Sequence, residues 1–261
     1  MGYAAVVAAD NPVHWWRLAD PGGAVALDIG SAAAKAPMLV STFGSLAYTG
    51  MTSDGLCAVI PSTSEIRVAS NIIAVPASPY SMECWTWSFF LDAAGDAIYD
   101  IGQVGGGARM GFRWNAAGKL EFNSNIGGNP VIAQAVASTQ RAWHHLVMTY
   151  DGVTSKLYVD GALAASVPAA PGGVFSAGAY LGETTGGTLR GNCFVEDVAW
   201  YTQALIPAQI ANHFNAANQV ASSPHWTGGG RFDTVLSTTT PLSTDVSSVL
   251  DAVRHTYQNA P

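Results

Sequence analysis

The chain has 261 residues, 49% of them hydrophobic and 11% charged, with a formal net charge of −7 and only eleven Lys plus Arg. That length holds one large domain, or one domain with a short appendage. Few and scattered basic residues exclude a phosphate-tracking stripe, so neither nucleic acid nor an anionic membrane surface is an expected partner.

Taken from the start, Met1-Gly2-Tyr3 lacks the basic opening of a secretory signal, and the short apolar run at 4–9 ends at Asp10. No apolar run is long enough to cross a bilayer. Residues 82–90 alternate as a strand, with Trp85, Trp87 and Phe89 on one face. Residues 97–101 form another, closed by Gly102. Strands at 109–114 and 119–123 flank Asn115-Ala116-Ala117-Gly118, a hairpin loop with glycine available for positive φ. Residues 143–150, 155–159 and 163–167 form an antiparallel meander whose turns are Asp151-Gly152 and Asp160-Gly161. Strands at 179–182 and 193–201 lead to a short helix at 206–214, with Pro207 near its start and Ile206, Ile210 and Phe214 on one face. Many evenly spaced strands with little helix predict an all-β sandwich or jelly roll over residues 1–221.

The remainder, 222–261, is a Ser/Thr/Gly-rich extension. Its one periodic stretch, 244–255, predicts a short helix with Val246, Val249, Leu250 and Val253 as an apolar stripe. A helix this short must dock on something, either its own sandwich or a neighbouring subunit. Cys57, Cys84 and Cys193 are an odd, widely spaced set without a CxxC pair. They read as small buried hydrophobes, with one disulfide and a single thiol as the alternative.

Trp143-His144-His145-Leu146-Val147-Met148-Thr149-Tyr150-Asp151-Gly152, followed by Leu157-Tyr158-Val159-Asp160-Gly161, resembles the W-H-H-V-A-x-T-Y-D-G and L-Y-V-D-G segments of the laminin-G-like, concanavalin A-like jelly-roll family. Asn11-Pro12-Val13-His14-Trp15-Trp16-Arg17-Leu18, Ser81-Met82-Glu83-Cys84-Trp85 and 195–205 agree with further family segments in the right order. The resemblance covers about residues 3–217. It implies two curved antiparallel sheets packed face to face, with binding of carbohydrate, glycoprotein or protein at edge loops or on the concave face, sometimes with calcium. Similar domains occur in bacteriophage minor tail proteins and capsid decorations. The expected role is therefore a non-enzymatic virion structural protein, assembled in the host cytoplasm as a homo-oligomer among other virion proteins. The alternative is a lectin-like, extracellular or particle-borne module recognising host-surface glycan.

The resemblance also implies that Asp28 and Glu196 or Asp197 meet as calcium ligands, since hard cations take carboxylate oxygens. Glu196 and Asp197 are neighbours in a strand, so alternation predicts opposite faces, and a paired-carboxylate glycosidase site is not expected. The same alternation separates His144 from His145. One should pack against Trp143 or Tyr150 and the other should be exposed. Among the eight tryptophans, Trp114 beside the Asn115 loop and Trp226 in the extension are the expected exposed aromatics for a sugar face.

Overall fold

The computed structural model describes residues 2–20, 24–40, 45–50, 56–61, 65–77, 79–89, 95–104, 107–125, 131–168, 174–184 and 191–217. Its elements in chain order are α1 (Tyr3–Ala9), β1 (His14–Trp16), β2 (Val25–Ala26), β3 (Met38–Val40), β4 (Ser45–Thr49), β5 (Leu56–Ile60), β6 (Ile66–Val75), β7 (Tyr80–Ser88) and β8 (Asp96–Gly102). They continue with β9 (Arg109–Trp114), β10 (Leu120–Ser124), β11 (Val131–Ala133), β12 (Trp143–Tyr150), β13 (Ser155–Val159), β14 (Ala162–Val167), β15 (Phe175–Leu181), β16 (Cys193–Tyr201) and α2 (Pro207–Ala216). No helix among the described residues is long and apolar enough to cross a membrane.

The strands form two antiparallel sheets. The first runs β14-β13-β12-β7-β16-β5-β4, with β1 also paired to β16, and the second runs β11-β10-β9-β8-β15-β6-β3-β2. Consecutive hairpins and long crossovers alternate, so each sheet collects strands from both halves of the chain.

Two apolar layers hold this arrangement. The larger lies between the sheets and takes Trp16, Met82, Cys84, Leu146, Met148, Val195 and Trp200 from the first, and Ile98, Ile101, Met110, Phe112, Leu120 and Phe122 from the second. The smaller lies outside the first sheet, where Trp85, Trp87, Phe89, Trp143 and Tyr201 meet Tyr3 and Val7 of α1 and Ile210 of α2. The central strands of the first sheet are thus buried on both sides. All nine residues of β7 and all nine of β16 are buried. Period-2 alternation there sorts side chains between two dry layers rather than between core and water.

The expected helix at 206–214 is present as α2, with Pro207 in its first turn and the Gln209 side chain accepting from the Ile206 amide. The meander at 143–167 forms, with a register shift between β13 and β14 at Leu157/Tyr158. Its second turn has Asp160 and Gly161 both at positive φ, 53° and 77°, the conformation that a two-residue hairpin needs. A β carbon on Gly161 would press on the Phe214 ring, so this glycine also seats α2.

Sequence reasoning missed α1, because seven residues of Ala, Val and Tyr have no polar face to mark a helix period. It also missed β2 to β6, which carry little regular alternation. All three cysteines are buried, in line with small apolar packing.

Candidate functional site

Asp28 sits at the entrance to the inter-sheet core, and protein donors surround its carboxylate. It accepts from His14 Nδ1 at 2.7 Å and from the amides of Trp15, Gly30 and Ala36 at 3.0, 3.0 and 2.9 Å. Burial alone would raise its pKa, but these bonds hold it at about 2. Asp197 lies on the other side of β1. It is fully buried and accepts from Trp15 Nε1 at 3.0 Å and Arg17 Nε at 3.3 Å, while burial lifts its pKa to about 7. Asp28 bonds His14, whose ring stacks on Trp16 of the inter-sheet layer, whereas Asp197 bonds Trp15 of the outer layer. The structure therefore places Asp28 and Asp197 on opposite faces of the first sheet, and the expected shared cation site does not assemble.

The prediction that Glu196 and Asp197 face opposite sides is also corrected. The β16–β7 register shifts between Glu196 and Ala199, and Asp197 takes φ 49°. The extra residue of this bulge resets the alternation. Both carboxylates consequently serve the outer layer. Glu196 packs against Gly50 and adds to the effect of burial in raising the Cys57 thiol.

Trp114 is not exposed. It is 0% accessible, packed in the inter-sheet core and edge-on to His144. Neither histidine is exposed either, because β12 is covered on both sides. His144 bonds Asp160, and His145 stacks on Trp85 rather than on Trp143 or Tyr150. Asn115 closes the β9–β10 hairpin. Its side-chain Oδ1 accepts from the Ala117 and Lys119 amides, and its Nδ2 donates to Glu121. Trp226, Val246, Val249, Leu250 and Val253 lie outside the described residues.

Two polar constellations went unread in the sequence. The first is a buried clasp beneath the helices. Glu83 of β7 accepts from Tyr3, His145, His213 and Tyr201, and His213 reaches Asp10 through its second nitrogen. Burial alone would raise Glu83, but the two histidines hold it well below the usual carboxylate range. Burial opposes charge on His213, yet Glu83 and Asp10 carry its pKa up to about 9. A doubly protonated imidazolium between two carboxylates suits a structural ion pair. The groove above it, about 750 Å³ and lined by Val6, Asp10, Gln209 and Asn212 among others, has Asp10 already committed to His213 and Gln209.

The second constellation is the outer face of the second sheet. The helices cover the first sheet, and no described helix packs on the second. One register row crosses it from edge to edge, clear of the bulges at Ala177/Ala179 and Ala97/Tyr99. Val25, Leu39, Arg67, Tyr180, Asp100, Gly111, Asn123 and Val131 stand side by side, one from each strand. Their chain neighbours Ala26, Met38, Ile66, Val68, Ala179, Leu181, Tyr99, Ile101, Met110, Phe112, Phe122 and Ile132 point into the inter-sheet core, so the row points out. Beside it run a second row, Arg109, Gly102 and Gly178, and a third containing Arg113 and Glu121.

The centre of this face is glycine. A β carbon on Gly111 would collide with Tyr99 O and Asp100, and one on Gly178 with Val68 O and the Val104 side chain. Gly111, Gly102 and Gly178 adjoin there and are buried, with the Asp100 carboxylate lying against Gly111 and the Val104 and Tyr180 side chains against Gly178. Arginines rise around it over carboxylates. Arg109 spans Asp100 and Asn123 at 3.6 and 3.3 Å, Arg113 pairs with Glu121, and Arg67 pairs with Glu65 at 2.7 Å. Asp100 and Glu121 are buried while the three arginines remain partly open. The alternation of 109–114 and 120–124 was legible, but only the folded register shows what its polar half assembles.

With one helix-backed sheet and one that no described helix covers, comparison with known proteins places the fold. The family model described as the concanavalin A-like lectin/glucanases superfamily matches residues 62–211. The chain belongs to that superfamily. No curated protein matches the sequence.

Solved structures share the architecture at low identity. Domain 4 of AbnA, a GH43 extracellular arabinanase from Geobacillus stearothermophilus, in complex with arabinotriose, superposes with a TM-score of 0.58 at 17% identity, over 78% of this chain and 98% of that one. The binding domain of Paraclostridial Mosquitocidal Protein 1 gives 0.61 at 14%, over 79% and 52%. Trypanosoma rangeli sialidase gives 0.57 at 14%, over 82% and 34%. The chain spans about half of the toxin domain and a third of the sialidase.

Proposed function

We propose that this chain is a carbohydrate- or receptor-binding module that takes its ligand on the outer face of the second sheet. The observation that carries the reading is the continuous register row from Val25 to Val131, flanked by partly open arginines over carboxylates, on the sheet that the described helices leave uncovered. Shallow polar faces with a few fixed donors and acceptors suit saccharide hydroxyls. The arabinanase domain that superposes over 98% of its length carries arabinotriose, which supports the reading. On a bacteriophage particle, the same face would serve as a host-surface receptor.

The module is proposed to bind without hydrolysing. Glycoside cleavage needs an acid and a nucleophile or base flanking one bond. On this face Asp100, Glu121 and Glu65 are each engaged by an arginine. Glu196 and Asp197 lie on the far sheet beneath the outer layer. A glycan-array screen of the purified chain beside an Arg109→Ala/Asn123→Ala variant tests the reading. Binding that the variant loses is expected, and an array without binding overturns it.

A further inference from the structure

We infer that the groove between α1 and α2 is the docking site of this chain's own segment 244–255, whose apolar stripe Val246, Val249, Leu250 and Val253 seats against it. The inference is independent of the ligand face, which lies on the other sheet. The groove follows one face of α2. Ala208, Gln209, Asn212, Asn215 and Ala216 recur along it at helical spacing, and Val6, Ala9 and Asp10 at the end of α1 form the facing wall. It holds about 750 Å³ and is open, with Ala9, Ala208, Asn212 and Asn215 exposed. From Ala208 to Ala216 a helix rises about 12 Å, and from Val246 to Val253 about 10 Å, so groove and stripe agree in length. Ala9, Ala208 and Ala216 end at their β carbons, which lets a second helix approach closely enough for branched side chains to fill the space between α1 and α2.

The chemistry of the two surfaces also matches. Among the residues lining the groove only Asp10 is charged, and its two oxygens already accept from Gln209 and His213. An apolar stripe laid there strands no charge. Asn212 and Asn215 make no hydrogen bond among the described residues, and they offer amides to Asp245 and Ser247, the polar residues beside the stripe. The exposed Val25 and Leu39 of the second sheet are a poorer seat, because Arg67 stands beside Leu39 in register and would lose water under an apolar stripe.

The chain itself delivers the segment. α2 ends at Ala216 on the groove wall, and the 26 residues 218–243 separate Ala217 from the segment. At up to about 3.5 Å each, they are long enough to return along the whole of α2. Tethering makes the encounter intramolecular, which favours it over the same groove on a second copy. Docking withdraws four apolar side chains from water, which a helix this short needs in order to persist.

The test attaches a nitroxide to the full chain at Asp251→Cys, a position off the stripe, and reads the amide signals of the isotope-labelled protein. Cys57, Cys84 and Cys193 are buried, so the label goes to the new thiol. The expected result is broadening at Ala9, Gln209, Asn212 and Ala216 that dilution does not change. Leu250→Asp and, separately, Ala208→Glu should each lower the ratio of docked to undocked segment by about tenfold or more, which restores those signals. Leu250→Asp alone decides the matter if Ala208→Glu does not fold. Broadening that persists in Leu250→Asp overturns the role of the stripe. Broadening centred on Val25 and Leu39, or none at all, overturns the groove. Broadening of isotope-labelled chains by separate spin-labelled chains also overturns the inference, since the segment would then dock on a second copy.

Discussion

Glu83 and His213 are 130 residues apart in sequence and meet at 2.9 Å under the helices, where neither side chain touches solvent. Glu83 belongs to the central strand of the first sheet, and His213 belongs to the last turns of α2. Their pairing, extended to Asp10 at the end of α1, ties both helices to the sheet. Removing one partner of a buried pair leaves the other charge uncompensated, at a cost of roughly 3–5 kcal/mol. Replacing His213 with Ala should therefore lower the melting temperature by about 10 °C for a domain of this size, as measured by calorimetry.

The pH dependence of that pair has a definite sign. His213 is raised from its ordinary 6.5 to about 9. Its stabilisation is fully present below the unfolded value and is lost as pH rises through about 9. Melting temperature should fall between those two limits, and the fall should vanish in His213→Gln. An unchanged slope in that variant would assign the titration to another group.

Asp197 behaves oppositely to a typical surface acid. Burial lifts its carboxyl from 3.8 to about 7, so the folded state holds its proton longer than the unfolded chain. Stability contributed by this group is present below the unfolded value and declines as pH rises toward about 7. Asp197→Asn keeps a residue tolerant of positive φ, and should flatten that decline with little loss of stability. Asp197→Ala removes the acceptor for Trp15 and Arg17 and suits positive φ less well. It should cost about 2 kcal/mol in denaturant unfolding.

Asp28 provides the check on calcium. Its pKa near 2 means that its stabilisation is present above 3.8 and is lost as pH falls toward about 2. Because its acceptor positions face His14 and three amides, millimolar calcium should leave the melting temperature unchanged. Asp28→Ala should lower it with or without calcium, and a calcium-induced rise in the wild type that this variant abolishes would reverse the assignment.

Trp114→Ala should act as a core truncation, costing about 3–5 kcal/mol. Glycan affinity per folded molecule should stay within about twofold, since the ring lies beneath the sheet rather than on it.

Fold and site were unequally legible. The β9–β10 hairpin, the 143–167 meander and α2 were readable because turn residues and periodicity are local. Trp114 was misplaced because nearness to a hairpin loop says nothing of which face a strand residue takes. Parity with Met110 and Phe112 in the same strand marks it as inward. Glu196 and Asp197 were assigned opposite faces because a bulge in a central strand leaves no local signature. The row from Arg67 to Asn123 gathers residues from strands far apart in sequence, and only register joins them.

The central claim is that ligand binds the outer face of the second sheet. Backbone chemical-shift mapping with a bound neutral oligosaccharide tests it most directly. The account predicts perturbation at the amides of Arg109, Gly111, Asn123 and Gly178, with α1 and α2 undisturbed. Perturbation confined to the groove of Val6, Asp10, Gln209 and Asn212 would contradict it.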